Sequence, residues 1–370
     1  MTTVYPESTA ALAAAVRAAQ GHPIAPVGAG TKAHWGGQLQ SDRPVVTLST
    51  LKLNRVVAWA AADLTVTVEA GMLLADLQRE LASQGQFIPL DPPFADRATV
   101  GGVLATGTGG SLRHRYHGIR DMVLGVTMVR ADGEVVKAGG RVVKNVAGYD
   151  LMKLLAGSWG TLGVVTELTL RVYPLPTQTE TCLLWGPLAA VADLRDRLMA
   201  STLTPVAVEV LSPPLTQALA GPNQWGLAIR LDGVAASTQG DRLRQMASGL
   251  ELGAIAPDFG RLGKGCGRGP GWSSLGCCRA TWRRWGPNCR GCGAWGGAPG
   301  WGGWCRKGPG NPCGPCAKTM AALPRNWPAT KPATFGRSPG GRALGSPLEQ
   351  AFDPQGVLNP GRFLPELASP

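Results

Sequence analysis

The sequence predicts an α+β protein with two domains, and three observations lead to this prediction. Strand-like and helix-like patterns alternate from the N-terminus to about residue 173. A second set of such elements follows Pro176 and ends near Phe259. The chain has 370 residues, which is long enough to bury more than one hydrophobic core. We therefore expect a larger N-terminal domain and a smaller second domain.

The first domain is expected to begin with a helix that starts at Ser8 or Thr9 and ends before Gly21. Helical spacing of leucines predicts a second helix over Leu73–Gln84, and a short helix is expected over Asp150–Ala156. Strands are predicted from alternation and β-branched content over Ile24–Val27, Val45–Leu48, Val56–Ala60, Leu64–Gly71, Met122–Arg130, Glu134–Lys137 and Leu162–Tyr173.

The second domain is predicted to contain one antiparallel sheet. Its strands are expected over Thr181–Trp185, Val206–Leu211 and Gly226–Leu231. Helices over Leu188–Ser201 and Ser237–Leu250 alternate with these strands.

A window between Phe259 and Leu348 differs from the rest of the chain in composition. It contains 14 Lys and Arg residues, no Asp or Glu, eight of the nine cysteines and seven of the twelve tryptophans. Outside it, 22 basic residues face 24 acidic ones, so the net charge of +12 does not indicate a nucleic-acid-binding surface. The Gly, Pro, Arg, Trp and Cys content is typical of GC-rich DNA read out of frame. We hypothesise a frameshift near Gly260 and a compensating one before Leu348, which predicts disorder over residues 260–346.

Two cysteine pairs in this window leave another interpretation open. Cys289–Cys292 and Cys313–Cys316 are both C-x-x-C pairs with the spacing of a zinc ribbon. Cys313-Gly-Pro-Cys316 also has the letters of a thioredoxin motif. A zinc-binding or redox interaction protein is therefore an alternative. Under the frameshift hypothesis no metal ligands are expected.

Two glycine-rich segments carry the functional prediction. Arg97–Gly110 contains five glycines in fourteen residues, and we expect a loop on which a flat or phosphorylated ligand lies. Gly28–Ala33 fits G-x-G-x-x-A after a strand, but no acidic residue lies between Arg43 and Ala62, so a dinucleotide-binding Rossmann site is not expected. Successive backbone N–H groups there could still bind a pyrophosphate, with Lys32 adding positive charge.

Nine segments in chain order resemble the flavoproteins of the vanillyl-alcohol oxidase type, which have a PCMH-type FAD-binding domain. They are Pro26–Lys32, Val66–Gly71, Ala98–Gly102, Arg115–Gly118, Asp121, Ala131–Glu134, Lys144–Leu151, Gly157–Thr166 and Phe352–Gly361. The resemblance implies two α+β subdomains that clasp FAD, then a cap domain and a tail that returns to the FAD domain. Residues 1–173 would be the FAD-binding domain, 174–259 a partial cap, 260–346 the abnormal window and 347–370 the tail.

The resemblance also implies the site residues. Gly28, Ala29, Gly30, Thr31 and Lys32 would bind the FAD pyrophosphate. The flavin would be lined by Thr99, Gly101, Gly102, Thr106, Gly107 and Gly109, with Gly118, Val164 and Val165 near it. Non-covalent FAD is expected because residues 28–32 contain no histidine, although His34 lies close by.

Within this family the sequence is most similar to the FAD-binding E subunits of bacterial glycolate oxidases. This implies hydride transfer from a 2-hydroxy acid to the flavin, and a complex with a larger FAD-containing D subunit and an iron–sulfur F subunit. All four histidines lie at or before residue 117. Catalytic residues are left unassigned, although Arg113, Arg115, Lys144 and Tyr149 could supply charge or protons. A free-standing FAD-dependent oxidase or dehydrogenase of another alcohol or hydroxy acid is the alternative within the family.

The location is predicted from the N-terminus and from hydropathy. No basic segment followed by an apolar core is present near Met1, and no apolar run has the length of a membrane span. A cytoplasmic protein is expected, bound at the periphery of the inner membrane only through its complex.

Overall fold

The computed structural model describes residues 2–19, 21–37, 39–140, 149–219, 221–253 and 348–362, and the backbone of 306–307 and 311–312. The chain divides into two compact units. Unit 1 comprises Met1–Thr177 with Gly345–Pro370, and unit 2 comprises Gln178–Leu344. The four-part domain division expected from the sequence stays a prediction. The abnormal window, with both C-x-x-C pairs, lies outside the described residues except for those four backbone positions.

Unit 1 contains short strands and helices that alternate along the chain. In order they are β1 (Thr2–Val4), α1 (Thr9–Ala18), β2 (Ile24–Val27), β3 (Val46–Ser49), β4 (Val56–Ala60), β5 (Thr65–Glu69), α2 (Leu74–Ala82), β6 (Gln86–Phe87), α3 (Val100–Thr106), α4 (Arg113–Tyr116), α5 (Ile119–Met122), β7 (Val123–Val129), β8 (Val135–Gly139), β9 (Val164–Arg171) and β10 (Tyr173–Pro174). Single 3₁₀ turns occupy Ala61–Asp63 and Leu151–Leu155, and residues 348–352 are helical.

Two sheets organise the described part of unit 1. The first is parallel, with strand order β1-β3-β2, and α1 connects β1 to β2. The second is antiparallel, with strand order β4-β5-β9-β7-β8, and β6 pairs with β10 outside both sheets. The Ser8 hydroxyl accepts a hydrogen bond from Ala11 N at 3.1 Å, which places the start of α1 where the sequence predicts it.

The main core of unit 1 lies on one face of the antiparallel sheet. Val66 and Val68 of β5 point into it, while the alternate Thr67 hydroxyl lies 2.9 Å from the Thr169 hydroxyl on the other face. Leucines at helical spacing in α2 and apolar residues of α3 fill the same core. A smaller core joins α1 to the parallel sheet and includes Leu358 of the tail. The tail is thus part of unit 1.

Unit 2 is an antiparallel sheet packed against helices. Its elements are β11 (Thr179–Gly186), α6 (Leu188–Ala200), β12 (Ala207–Leu211), α7 (Pro213–Ala218), β13 (Trp225–Asp232), α8 (Ala236–Met246), β14 (Glu251–Leu252), β15 (Arg306–Lys307) and β16 (Asn311–Pro312). The order in the sheet is β12-β13-β11-β14, and β15 pairs antiparallel with β16 separately. Cys182 is buried in the core of the unit, and burial raises the pKa of its thiol to about 11. This thiol therefore stays protonated and packs as an apolar group.

The α+β class and most predicted elements are confirmed, whereas one prediction central to the function is wrong. Arg97–Gly110 is not a loop throughout, because Val100–Thr106 forms α3. The Thr99 hydroxyl accepts from Gly102 N at 3.2 Å and caps the helix, and Val100, Val103 and Leu104 bury one stripe in the core. The sequence prediction gave weight to the glycines and overlooked the helical i, i+3, i+4 spacing of these three apolar residues.

Smaller differences occur at element ends. The predicted helix over Asp150–Ala156 is a 3₁₀ turn, and the predicted strand over Leu162–Tyr173 breaks at Val172 into β9 and β10. The sequence analysis did not predict β1, α4, α5 or α7. Within the described residues, no helix is both long enough and apolar enough to cross a membrane.

Candidate functional site

The turn after β2 lies directly against the start of α3. We call residues 28–37 the β2 loop. A Cβ added to Gly28 would overlap the Thr99 hydroxyl and lie 3.1 Å from Thr99 Cβ. Only glycine therefore fits at this point of the loop. The two glycine-rich segments, Gly28–Ala33 and Arg97–Gly110, therefore meet in space.

Lys32 is the most unusual charged residue of the β2 loop. The residue is only 5% exposed. Among the described residues its ammonium makes no hydrogen bond or ion pair, whereas the exposed Lys52 pairs with Glu7. Burial lowers the pKa of Lys32 to about 8. A buried cation without a counter-ion destabilises the ligand-free protein, so the site is suited to an anion that binds here.

The C-terminal end of α3 packs against a second glycine turn, residues 157–161. Gly107 has φ +65°, and a Cβ on it would lie 3.3 Å from Gly157 Cα. Gly157 N donates to Leu104 O at 3.0 Å, and Trp159 N donates to Ala105 O at 2.8 Å. Backbone therefore approaches backbone at the C-terminal end of α3. This explains why glycine and small residues are concentrated there.

The structure brings together part of the predicted site. Gly28, Thr99 and Gly102 form one contact group, and Gly101 lies beside Ala70 at the end of β5. Thr106 donates its hydroxyl to Gly102 O at 2.8 Å. Thr31 and Ala29 are half-buried in the β2 loop, and Gly30 is exposed.

The remaining predicted residues lie farther along the chain. A Cβ on Gly109 would be 3.6 Å from Gly118 Cα, so these two glycines are neighbours. Val164 and Val165 are adjacent in β9, and the Val164 side chain is buried in the smaller core of unit 1. Their assignment to FAD, like that of the other site residues, stays a prediction.

The proposed sources of charge are only partly described. Lys144 lies within 141–148, outside the described residues. Tyr149 is 90% exposed. His34 is exposed and lies edge-on to Trp35, with ring centroids 6.0 Å apart. No cluster of three or more His, Cys, Asp or Glu with metal-binding geometry occurs among the described residues.

The sequence analysis missed two residues of the tail that contact the site. Arg362 Nη1 donates to Ala33 O at 2.7 Å and to Gly37 O at 3.1 Å. Asn359 Nδ2 donates to Trp159 O at 2.7 Å. The segment Phe352–Gly361 resembles the family, and this resemblance indicated that the tail returns to the FAD domain. It did not indicate which loop of that domain the tail contacts.

A family model described as an FAD binding domain matches residues 2–139. The chain is similar to glycolate oxidase subunit GlcD of Bacillus subtilis, with 35% identity over 193 residues, 52% of this chain and 41% of that protein. It is also similar to glycolate oxidase subunit GlcE of Escherichia coli, with 38% identity over 157 residues, 42% of this chain and 43% of that protein. The mitochondrial D-lactate dehydrogenase [cytochrome] of Arabidopsis thaliana is 37% identical over 186 residues, 50% of this chain and 32% of that protein.

Each alignment thus spans less than half of the curated relative. Among solved structures, an alkyldihydroxyacetonephosphate synthase aligns with a TM-score of 0.61 and 22% identity, covering 71% of this chain and 53% of that one. This structural similarity supports the α+β fold of the chain.

The described residues fit the pyrophosphate of FAD, which carries the negative charge of the cofactor. The buried Lys32 supplies positive charge and has no counter-ion among the residues that the structure describes, and Gly28 allows close backbone approach beside the Thr99 cap. Both features lie inside the matched range 2–139. By sequence match and residue chemistry, residues 2–139 form an FAD-binding domain.

Proposed function

We propose that this chain is the FAD-binding subunit of a complex that oxidises glycolate, a 2-hydroxy acid, to glyoxylate. The observation that carries the cofactor part is Lys32, a buried cation in the β2 loop that makes no ion pair within the described residues. The reaction class rests on the relatives, which are named as glycolate oxidase subunits and as D-lactate and D-2-hydroxyglutarate dehydrogenases. All of these names refer to a carboxylate with a hydroxyl on the adjacent carbon.

The described residues of this chain bind and orient the cofactor. Lys32 would neutralise the pyrophosphate, and the backbone N–H groups of the β2 loop would donate to its oxygens. The small residues of α3 would let the ring system approach the backbone. When bound, FAD would supply the hydride-acceptor chemistry for oxidation at the substrate carbon. No base for the substrate hydroxyl is assigned to this chain, since its histidines all lie at or before residue 117.

The proposed partners complete the reaction. A larger FAD-containing D subunit would supply the residues that act on the substrate, which are not assigned to this chain. An iron–sulfur F subunit would carry electrons onward. The proposal includes a cytoplasmic location, at the periphery of the inner membrane through the complex. A free-standing dehydrogenase is a second candidate, favoured by the similarity to the D-lactate and D-2-hydroxyglutarate dehydrogenases.

Dye reduction separates the two candidates. The FAD-loaded chain should reduce an artificial electron acceptor slowly or not at all with glycolate, D-lactate or D-2-hydroxyglutarate. Addition of the D and F subunits should give glycolate-dependent reduction that is lost when this chain is omitted. Rapid turnover by the isolated chain with any of the three acids would contradict the subunit role and support the free-standing enzyme.

FAD affinity is expected to fall as the pH rises through about 8, because the pKa of Lys32 in the ligand-free protein is about 8. A bound pyrophosphate raises this pKa, so binding is strongest below pH 8 and weakens at higher pH. Stability of the ligand-free protein changes in the opposite direction. Unfolded Lys32 recovers its ordinary pKa of 10.5, so the unfolded state binds more protons between pH 8 and 10.5 and the free energy of unfolding rises there.

The pH dependence of FAD affinity is measured by titrating the protein with FAD between pH 6.5 and about 9.5 and following flavin fluorescence. A Lys32→Met variant is the control, and its affinity should lose most of the pH dependence. Equal pH dependence in both proteins would show that another group titrates.

A further inference from the structure

The tail runs beside β2 and the β2 loop through backbone hydrogen bonds. Ile24 N donates to Val357 O at 2.7 Å, and Asn359 N donates to Ile24 O at 2.8 Å. Farther on, Gly37 N donates to Arg362 O at 3.1 Å. The tail segment, residues 353–362, therefore contacts the first residue of β2 and the end of the β2 loop. These contacts join parts of the chain more than 300 residues apart in sequence.

The Arg362 side chain holds the far end of the β2 loop. Its Nη1 donates to the carbonyl oxygens of Ala33 and Gly37, which lie on either side of the final turn of the loop. Its guanidinium lies over the Trp159 ring at 5.5 Å from the centroid. Arg362 forms no ion pair within the described residues, so its observed role is to bind backbone carbonyls and an aromatic face.

Trp159 connects this arrangement to α3. Its backbone has φ +56°, a conformation that a bulky residue adopts only when its surroundings hold it. Its N–H donates to Ala105 O in α3, and its carbonyl accepts from Asn359 Nδ2. Its ring lies 3.4 Å from where a Gly36 Cβ would be. Trp159 thus contacts α3, the tail and the β2 loop simultaneously.

We propose that Asn359 and Arg362 are positioning residues for the pyrophosphate-binding loop. Through Trp159 they hold the β2 loop against α3 in the shape that binds the cofactor. The loop contains Gly28, Gly30, Gly36 and Gly37. A glycine-rich loop loses much conformational entropy when it is ordered, so a loop that is ordered in advance binds its ligand more tightly. The inference rests on the proposed binding of FAD at this loop.

The test compares Arg362→Met with Arg17→Met. Arg17 is a matched control because its Nη1 also donates to a backbone carbonyl in unit 1, Gly133 O at 2.7 Å, and neither residue belongs to the β2 loop or to the tail segment. Dissociation constants are measured for FAD, ADP and riboflavin, and melting temperatures are measured for the FAD-free full chain. Arg362→Met should weaken the binding of FAD and ADP about tenfold, mainly through faster dissociation. It should leave the dissociation constant of riboflavin unchanged. Arg17→Met should lower the melting temperature and leave all three constants unchanged.

Two further variants exclude a general loss of folding. Asn359→Ala should weaken FAD and ADP in the same pattern as Arg362→Met. Arg362→Lys retains the charge but not the forked geometry, so it should restore only part of the affinity. Wild-type affinities for FAD and ADP in Arg362→Met, with a lower melting temperature, would overturn the positioning role and leave the FAD site intact. A wild-type chain that binds no FAD would overturn both proposals.

Discussion

Replacing Lys32 by methionine is expected to weaken FAD binding by about 10- to 100-fold while stabilising the FAD-free protein. A hydrogen bond to a charged group contributes about 1.5–3 kcal/mol, which corresponds to this range of affinities. The stability gain is expected because the pKa of Lys32 is lowered by burial from 10.5 to about 8. At about 1.4 kcal/mol per pKa unit, removal of the buried charge should add on the order of 3 kcal/mol at neutral pH. Methionine keeps the length of the side chain and most of its apolar contacts.

Flavin titrations and urea denaturation of the FAD-free protein measure the two effects separately. Lys52→Met is the matched control, since Lys52 is exposed and pairs with the exposed Glu7. That variant should leave FAD affinity unchanged and change stability by less than about 1 kcal/mol. A Lys32→Met protein that is less stable and binds FAD normally would show that Lys32 has a structural role.

Replacing Gly28 by alanine is the second change with a large expected effect. The added methyl group would overlap the Thr99 hydroxyl, so the β2 loop must move away from α3. Overpacking of this kind costs about 1–3 kcal/mol of stability. Displacement of the loop from its binding position should reduce FAD affinity by about tenfold or more. Thermal denaturation and flavin titration measure the two losses.

A double-mutant cycle identifies the cause of the loss. Thr99→Ala removes the hydroxyl and costs about 1 kcal/mol as a lost helix cap. In that background Gly28→Ala should cost less than in the wild type, because part of the overlap is gone. Gly85→Ala is the control for backbone strain: Gly85 has φ +64° and open space around its Cβ position. It should reduce stability and leave FAD affinity unchanged. Additive effects of Gly28→Ala and Thr99→Ala would contradict the proposed contact.

The sequence predicted elements well where one physical pattern dominated. The strand β5 was recognisable because threonine and valine alternate over its first four residues, and each type lies on its own face of the sheet. The helix α2 was recognisable because Leu74, Leu77 and Leu81 repeat at helical spacing and are all buried. In both cases local propensity and burial agree.

Predictions were weaker where two patterns compete in the same residues. In α3, two adjacent glycines disfavour a helix, whereas the Thr99 cap and the apolar stripe favour it, and packing of the stripe in the core prevails. The burial of Lys32 was also not predictable. Its neighbours in sequence are small or exposed, and only the three-dimensional arrangement around the β2 loop removes it from water.

The role of the tail required the structure for a different reason. The sequence shows that residues 352–361 match the family, but Arg362 lies one position beyond that segment. The Arg362 side chain donates its hydrogen bonds to backbone carbonyls. Every residue has such a carbonyl, so the sequence does not indicate which ones accept these bonds. Contacts of this kind across more than 300 residues can be found only from coordinates.

The FAD content of the purified full-length chain tests the central claim most directly. The protein is incubated with excess FAD, freed of unbound cofactor and precipitated with acid. The released flavin is then identified by chromatography. A single FAD per chain is expected, released entirely into the supernatant because no covalent bond is expected. A chain that retains no flavin after this treatment would contradict the assignment of the β2 loop and Lys32 as a pyrophosphate-binding site, and flavin in the pellet would contradict non-covalent binding.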